Sequence, residues 1–387
     1  MSAPSPASAA VPYLTDSLVF DWKAQSFRAD LIFVLPIAIC LTLGIWLGHP
    51  GGALIAAGGA FTVGFGARQH IDESRLLPMI LASLGIAAAT FIGMILGRTN
   101  FILVLVTGGV GFVYGMLSLR QPGVSWVGQQ SAVFLLVSSA FPASPRAAAV
   151  RAGLVMAGAA LQILTSSILL RLLQQLRTDL LLVARYLRDE HQALRSSVEE
   201  AARSLVKRSP APSAVPYAIR LAVVLMVSTE IYRHFRFTNG YWIPMTALLV
   251  LRPGLSDTAS RAIARTIGTL GGAVLASFFL AHVAPSPPIL AFLTLFFAWF
   301  AYSLNNVNYG LFTMCLTAYI VCLLALNSLP GKDVAYHRAV STLIGGGLAL
   351  TVRLLVIRYR RRHSTPPTPQ ANDGGGLAGV KSGSTAS

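Results

Sequence analysis

The chain has 387 residues, 54% of them hydrophobic and 11% charged, with a mean hydropathy of +0.65. A soluble domain carries about a quarter charged residues, so this composition argues against a soluble enzyme, a disordered chain or a fibre. The formal net charge of +16 would suggest nucleic acid in a soluble protein, but a membrane chain gathers Lys and Arg in its cytoplasmic loops, and no nucleic-acid partner is expected.

In chain order, residues 1–28 read as a cytoplasmic N-terminal segment. It has no basic region ahead of its first apolar block, which argues against a cleaved secretory signal. Six apolar segments follow at 29–48, 51–67, 76–97, 101–119, 123–141 and 147–170, and together they make a first membrane unit, 29–170. Most are long enough to cross a hydrocarbon core of roughly 30 Å as helices. A linker at 171–214 carries Leu173, Leu180, Leu187 and Leu194 every seven residues, with Leu176 and Val183 between them. That heptad seam predicts that the sixth span runs on into the cytoplasm as an amphipathic helix over 171–208, broken by the Pro-rich SPAPSAVP. Six further segments at 215–232, 240–251, 262–282, 289–303, 309–326 and 334–357 make a second unit, 215–357. The tail, 358–387, is basic and then low in complexity, and is expected to be disordered. The second and eighth segments are short and interrupted.

These elements predict an all-α polytopic membrane protein with about twelve transmembrane helices. An even count leaves both termini cytoplasmic and most basic residues on that side. The two halves also match each other. FVYGM from Phe112 recurs as FAYSL from Phe300, SLGIAAA from Ser83 as TLGGAVL from Thr269, and RAGLVMAGAAL from Arg151 as RAVSTLIGGGL from Arg338. All three pairs share nearly one offset, and six helices lie within it. The copies are therefore expected to be parallel six-helix repeats, with a substrate path at their interface.

Enzyme signatures are missing. There is no GxxxxGK[ST], HExxH, CxxC or GxSxG, and the seven histidines are scattered. Cys40, Cys315 and Cys322 lie in apolar blocks without metal-ligand spacing. No metal, cofactor or catalytic residue is expected.

The paired glycines Gly93/Gly97, Gly111/Gly115, Gly268/Gly272 and Gly345–Gly347 read first as faces for close helix packing, with a backbone-lined path as the alternative. The charges inside the apolar segments narrow the chemistry further. Glu230 is the one acid placed within a span, and it reads either as an ion-pair partner or as the proton-coupling group. Arg261 and Arg265 share a helix face near the inner end of the ninth segment, while Arg151 and Arg338 take matching positions near the outer ends of the sixth and twelfth. Guanidinium groups suit bidentate capture of carboxylates, with interfacial snorkelling as the alternative. Cations at both ends of a path that holds almost no acid point to an organic anion. Tyr241 and Trp242 suit the outer interface, Pro244 is expected to free a backbone carbonyl, and Asn308 sits in the polar turn before the eleventh segment.

The run GYWIPMTALLVLRPG, then RAIARTIGTLGGAVLA, then the NYG turn and HRAVSTLIGGGLAL resembles the fusaric acid resistance and aromatic acid exporter family. The resemblance covers about 217–357, and in the first half it rests on the repeat. It implies export of aromatic carboxylates or similar anions across the bacterial inner membrane, driven by the proton-motive force, and in larger members a periplasmic adaptor protein as partner. On this reading the substrate is a small organic anion held by Arg261, Arg265, Arg151, Arg338, Tyr241, Trp242 and Asn308. An anion channel-like pore, or a membrane scaffold recruiting a partner through the 171–208 helix, stays open beside it, and so does a homo-oligomer.

Overall fold

The computed structural model describes residues 19–166, 188, 191–199, 214–235, 237, 239–253, 255–282, 286–326 and 331–363. The remainder of the linker and the tail beyond His363 lie outside them, so the expected heptad helix is described only at 188 and 191–199, which are helical.

Among the described residues the chain is helical, with no strand beyond a single isolated bridge between Ile71 and Ser74. After a short helical entry at Phe27–Asp30 and Leu31–Val34, the first half contains α1 (Leu35–Trp46), α2 (Pro50–Gly64), α3 (Leu76–Leu96), α4 (Ile102–Leu117), α5 (Pro122–Ser139) and α6 (Pro145–Leu164). The second half contains α7 (Ala214–Phe235), α8 (Trp242–Val250), α9 (Leu255–His282), α10 (Pro287–Leu304), α11 (Tyr309–Ala325) and α12 (Gly331–His363).

Local chemistry sets the ends. Proline opens α1, α2, α5, α6 and α10, where its missing N–H costs nothing. Ser144 caps α6, and the Asn308 side chain caps α11 by accepting from the N–H groups of Gly310 and Leu311 at 2.8 and 3.2 Å. Gly97 ends α3 with φ of 59°, a left-handed conformation that glycine adopts without strain.

Helices α2 (continued to Arg68), α3, α6, α7, α9, α10 and α12 are long and apolar enough to cross a bilayer, seven in all among the described residues. Length and composition alone thus pick out seven of the twelve expected crossings. The entry with α1, and α4 and α11, are shorter apolar helices. The two remaining helices have a physical reason to differ. Helix α8 has nine residues, nearly all buried, so its surroundings are protein and not lipid. Helix α5 carries Ser125, Gln129, Gln130 and Ser131, polar groups that lipid would not tolerate but a cavity wall does. Pro244 frees no carbonyl. It lies in the first turn of α8, where the Gly240 carbonyl that its ring would orphan accepts from the Ile243 N–H at 2.9 Å.

The helices pack in pairs, α3 with α5 and α9 with α11, α2 with α6 and α8 with α12, while α4 lies along α7. Large apolar side chains such as Leu84, Val113, Val223, Val274, Phe292 and Leu354 remain exposed on the outer faces, as lipid contact requires. The small-residue positions carry the close approaches. A side chain on Gly158 would collide with the Ala56 backbone of α2, one on Gly345 with the Ile243 carbonyl of α8, and one on Gly268 or Gly272 with the α11 backbone. Gly93 meets α5, and Gly111 and Gly115 meet α7, whereas Gly346 and Gly347 face open space.

Both main cores are shared between the halves. One joins Phe33, Phe61 and neighbours on α1 and α2 to Tyr302 and Tyr319 on α10 and α11. The other joins Tyr114, Ala132 and Leu136 to α7, α8 and α12. At one edge of the first core the Tyr302 hydroxyl donates to the Phe61 carbonyl at 2.7 Å, and Arg68 donates to the Tyr302 carbonyl at 3.0 Å while pairing with the buried Asp30.

Candidate anion-binding cavity

A cavity of about 710 Å³ lies between the halves, walled by α2, α3, α5 and α6 on one side and by α8, α9, α11 and α12 on the other. Its volume is within the range of small-molecule sites. Four arginines line it: Arg252, Arg261, Arg265 and Arg338.

Their positions follow from helix packing. Arg261 and Arg265 lie one turn apart on α9, on the face that meets α11. Tyr309, the first residue of α11, serves both. The Arg261 guanidinium lies 4.7 Å from the centre of its ring, and Arg265 Nη1 donates to its hydroxyl at 3.1 Å. Arg338 enters from α12. Its guanidinium stacks 3.9 Å from the centre of the Trp242 ring on α8, and its Nε donates to Thr317 Oγ1 at 3.1 Å, halfway along α11. Arg265 and Arg338 are 2% and 1% exposed, so both charges are sealed from bulk water. Their helices, α9 and α12, pack against each other, and both line this one cavity.

Among the described residues, none that lines the cavity is Asp, Glu or His. The buried polar atoms on its wall that have no hydrogen-bond partner among the described residues are nitrogens and a phenol: Arg252 Nε, Arg265 Nε, both Nη of Arg338, Trp242 Nε1 and the Tyr319 hydroxyl. Every one can donate. A buried cation left without acceptors is costly, and an anion is the ligand whose oxygens would complete this wall. Aromatic rings fill much of the remaining surface, with Phe61 stacked on Tyr319 at 4.1 Å and with Phe65, Trp126, Phe134 and Phe312 beside them. The first-half wall adds neutral polar groups, among them Gln129, Gln130 and Thr62.

The residues expected from the sequence divide into two groups. Arg261, Arg265, Arg338, Tyr241 and Trp242 come together on this cavity. Arg265 meets the first residue of α11 and Arg338 its midpoint. Tyr241 and Trp242 are buried, at 3% and 4% exposure, and so belong to the interior and not to a membrane interface. Asn308 lines only a smaller cavity of about 200 Å³ beside Arg261 and Tyr309; its side chain caps α11 and also donates to the Val19 carbonyl at 2.9 Å. Arg151 lines neither cavity. Glu230 is also remote, because Arg233 one turn along α7 grips both its oxygens, at 2.8 and 2.7 Å, on a partly exposed face.

Arg252, Thr317 and the aromatic wall of α2 escaped the sequence reading. Arg252 follows the GYWIP run directly and is the one with a visible signal. Phe61 and Phe65 look like ordinary apolar residues until α2 is placed against α11.

Residues 222–352 match the fusaric acid resistance protein-like family. Among curated proteins the chain is similar to the uncharacterized protein YhfK of Escherichia coli, at 31% identity over 45% of this chain and 24% of that protein. It is also similar to an uncharacterized protein of Synechocystis, at 29% over 37% of this chain and 19% of that one, and to the uncharacterized membrane protein YvaC of Bacillus subtilis, at 30% over 36% and 21%. The chain thus matches a quarter or less of the length of each of these relatives. No solved structure matches it. All of the cationic cavity residues lie inside the matched segment, and with its apolar helices this is a multi-pass membrane protein whose residues 222–352 are similar to the fusaric acid resistance protein-like family.

Proposed function

We propose that the chain is a bacterial inner-membrane exporter of small organic anions, with aromatic carboxylates as the best-fitting class and both termini cytoplasmic. The observation that carries this reading is a wall of unpaired donors and four guanidiniums, with no acid among the described residues that line it, set among aromatic rings. Guanidinium forks match carboxylate oxygens, and the rings give a flat apolar body something to stack on. The family description adds direction. Resistance to an acid, the property in the matched family's description, fits its removal from the cell. A membrane potential negative inside supplies about 2.3 kcal/mol per expelled charge per 100 mV, so the electrical part of the proton-motive force already drives an anion outward.

The parallel-repeat reading is supported by the cavity itself. Leu54, Ile55, Gly58, Thr62 and Phe65 line it from α2 and its extension. Tyr241, Trp242, Met245, Leu249 and Arg252 line it from around α8, at the same offset that separates Arg151 from Arg338. The Gly158–Ala56 and Gly345–Ile243 crossings are separated by that offset too. The path then lies at the repeat interface, as in other transporters, with its charge in one repeat only.

A channel-like pore is the second reading, favoured by the lack of any Asp, Glu or His on the cavity wall to carry a proton. Either way Arg265 is in the path. In proteoliposomes, Arg265→Gln is expected to slow efflux of labelled benzoate about ten-fold or more, as loss of one charge-assisted bond predicts, with membrane insertion unchanged. An unchanged rate for several acids would remove Arg265 from the path and return it to a packing role.

A further inference from the structure

We infer that the preferred ligand of this cavity is an aromatic dianion, a ring bearing two separate acidic groups, and not a singly charged acid. The inference rests on the organic-anion reading above and narrows it.

The argument is one of charge and donor count. The deep part of the cavity holds two guanidiniums, Arg265 and Arg338, on different helices and with different neutral supports. Arg265 leans on the Tyr309 hydroxyl and keeps Nε unpaired. Arg338 rests on the Trp242 face and Thr317 and keeps both Nη groups unpaired. No acid among the described residues lines the cavity to neutralise either, and their helices pack together, so two like charges share one low-dielectric space. One carboxylate balances only one of these two buried charges and leaves a net positive charge on the wall. Two carboxylates on one ring answer both and replace the repulsion between the guanidiniums with two attractions. Trp242 Nε1 and the Tyr319 hydroxyl, also unpaired, supply donors for the remaining oxygens.

Arg261 does not raise the count to three. Like Arg252 it is only partly buried, whereas Arg265 and Arg338 are 2% and 1% exposed, and it also borders the smaller cavity among Asn305, Asn306 and Asn308, which has room for water. The opposite wall offers Gln129 and Gln130, neutral amides suited to a ring edge or substituent and unable to compete for the cations.

The test is calorimetric titration of the full chain in detergent, near neutral pH and at constant ionic strength, with isophthalate and benzoate as probes. Isophthalate is expected to bind about ten-fold tighter or more, the worth of one further charge-assisted pair. Arg338→Gln and Arg265→Gln should each bring isophthalate down to the affinity that benzoate shows with the native protein. If a Gln variant fails to fold, the comparison of the two acids on the native protein still decides. Benzoate binding as tightly as isophthalate overturns the inference and leaves the organic-anion reading standing; binding of neither overturns both.

Discussion

A guanidinium sealed from water needs a counter-ion or a surface that replaces its hydration, and Arg338 has only the second. The Trp242 ring covers one face at 3.9 Å and Thr317 takes one N–H, which leaves two nitrogens for a ligand. Glu230 is the opposite case. Both its oxygens are taken by Arg233, which also lies over the Phe101 ring at 5.6 Å. A carboxylate committed to a neighbour on its own helix, away from the cavity, fits an ion pair better than a proton carrier. Glu230→Gln is therefore expected to leave the response of efflux to an imposed pH gradient unchanged in proteoliposomes, and loss of that response would give Glu230 the coupling role. At this scale the sequence was partly legible. The i, i+4 spacing of Arg261 and Arg265 put both on one face, and the match between Arg151 and Arg338 drew attention to the second cation. It could not say that Arg338 turns inward while Arg151 lines no cavity, because that depends on an aromatic partner. At the sequence offset that separates Arg151 from Arg338, Trp242 corresponds to Ile55, which has no such ring face.

At the level of helices, close packing decides where the walls stand. Gly158 brings α6 onto the backbone of α2, and Gly345 does the same for α12 on α8. A methyl group at Gly158 would meet the Ala56 backbone, which cannot rotate away, so Gly158→Ala is expected to destabilise by about 1–3 kcal/mol, typical of overpacking. Gly153 lies on the same helix with nothing within 4 Å of an added side chain. There the substitution should be neutral or stabilising by up to about 1 kcal/mol, the propensity difference between the two residues. Apparent melting temperatures of the two purified variants check the pair, and equal shifts would contradict the packing account. Most helix positions were legible, because apolar runs bounded by Pro, Gly and Asn define them without tertiary information. Helices α5 and α8 do not meet the length and hydropathy of a lipid-facing span, because their neighbours are the cavity and other helices.

Over the whole molecule, the two halves are not separate bodies, since each main core draws side chains from both. The space left between them is the cavity, cationic on the second-half wall and neutral on the first. Such a wall concentrates anions and repels cations even at first-half positions. The sequence supplied the charges and the internal match, but the enclosure arises only when the halves close on each other. The most direct test uses Gln130, on the neutral first-half wall, as a reporter. With the three buried native cysteines Cys40, Cys315 and Cys322 replaced, Gln130→Cys should react about ten-fold faster with an anionic methanethiosulfonate than with a cationic one, and added benzoate or isophthalate should slow the reaction. Faster modification by the cationic reagent, with no protection by either acid, would contradict an anion-binding cavity between the halves.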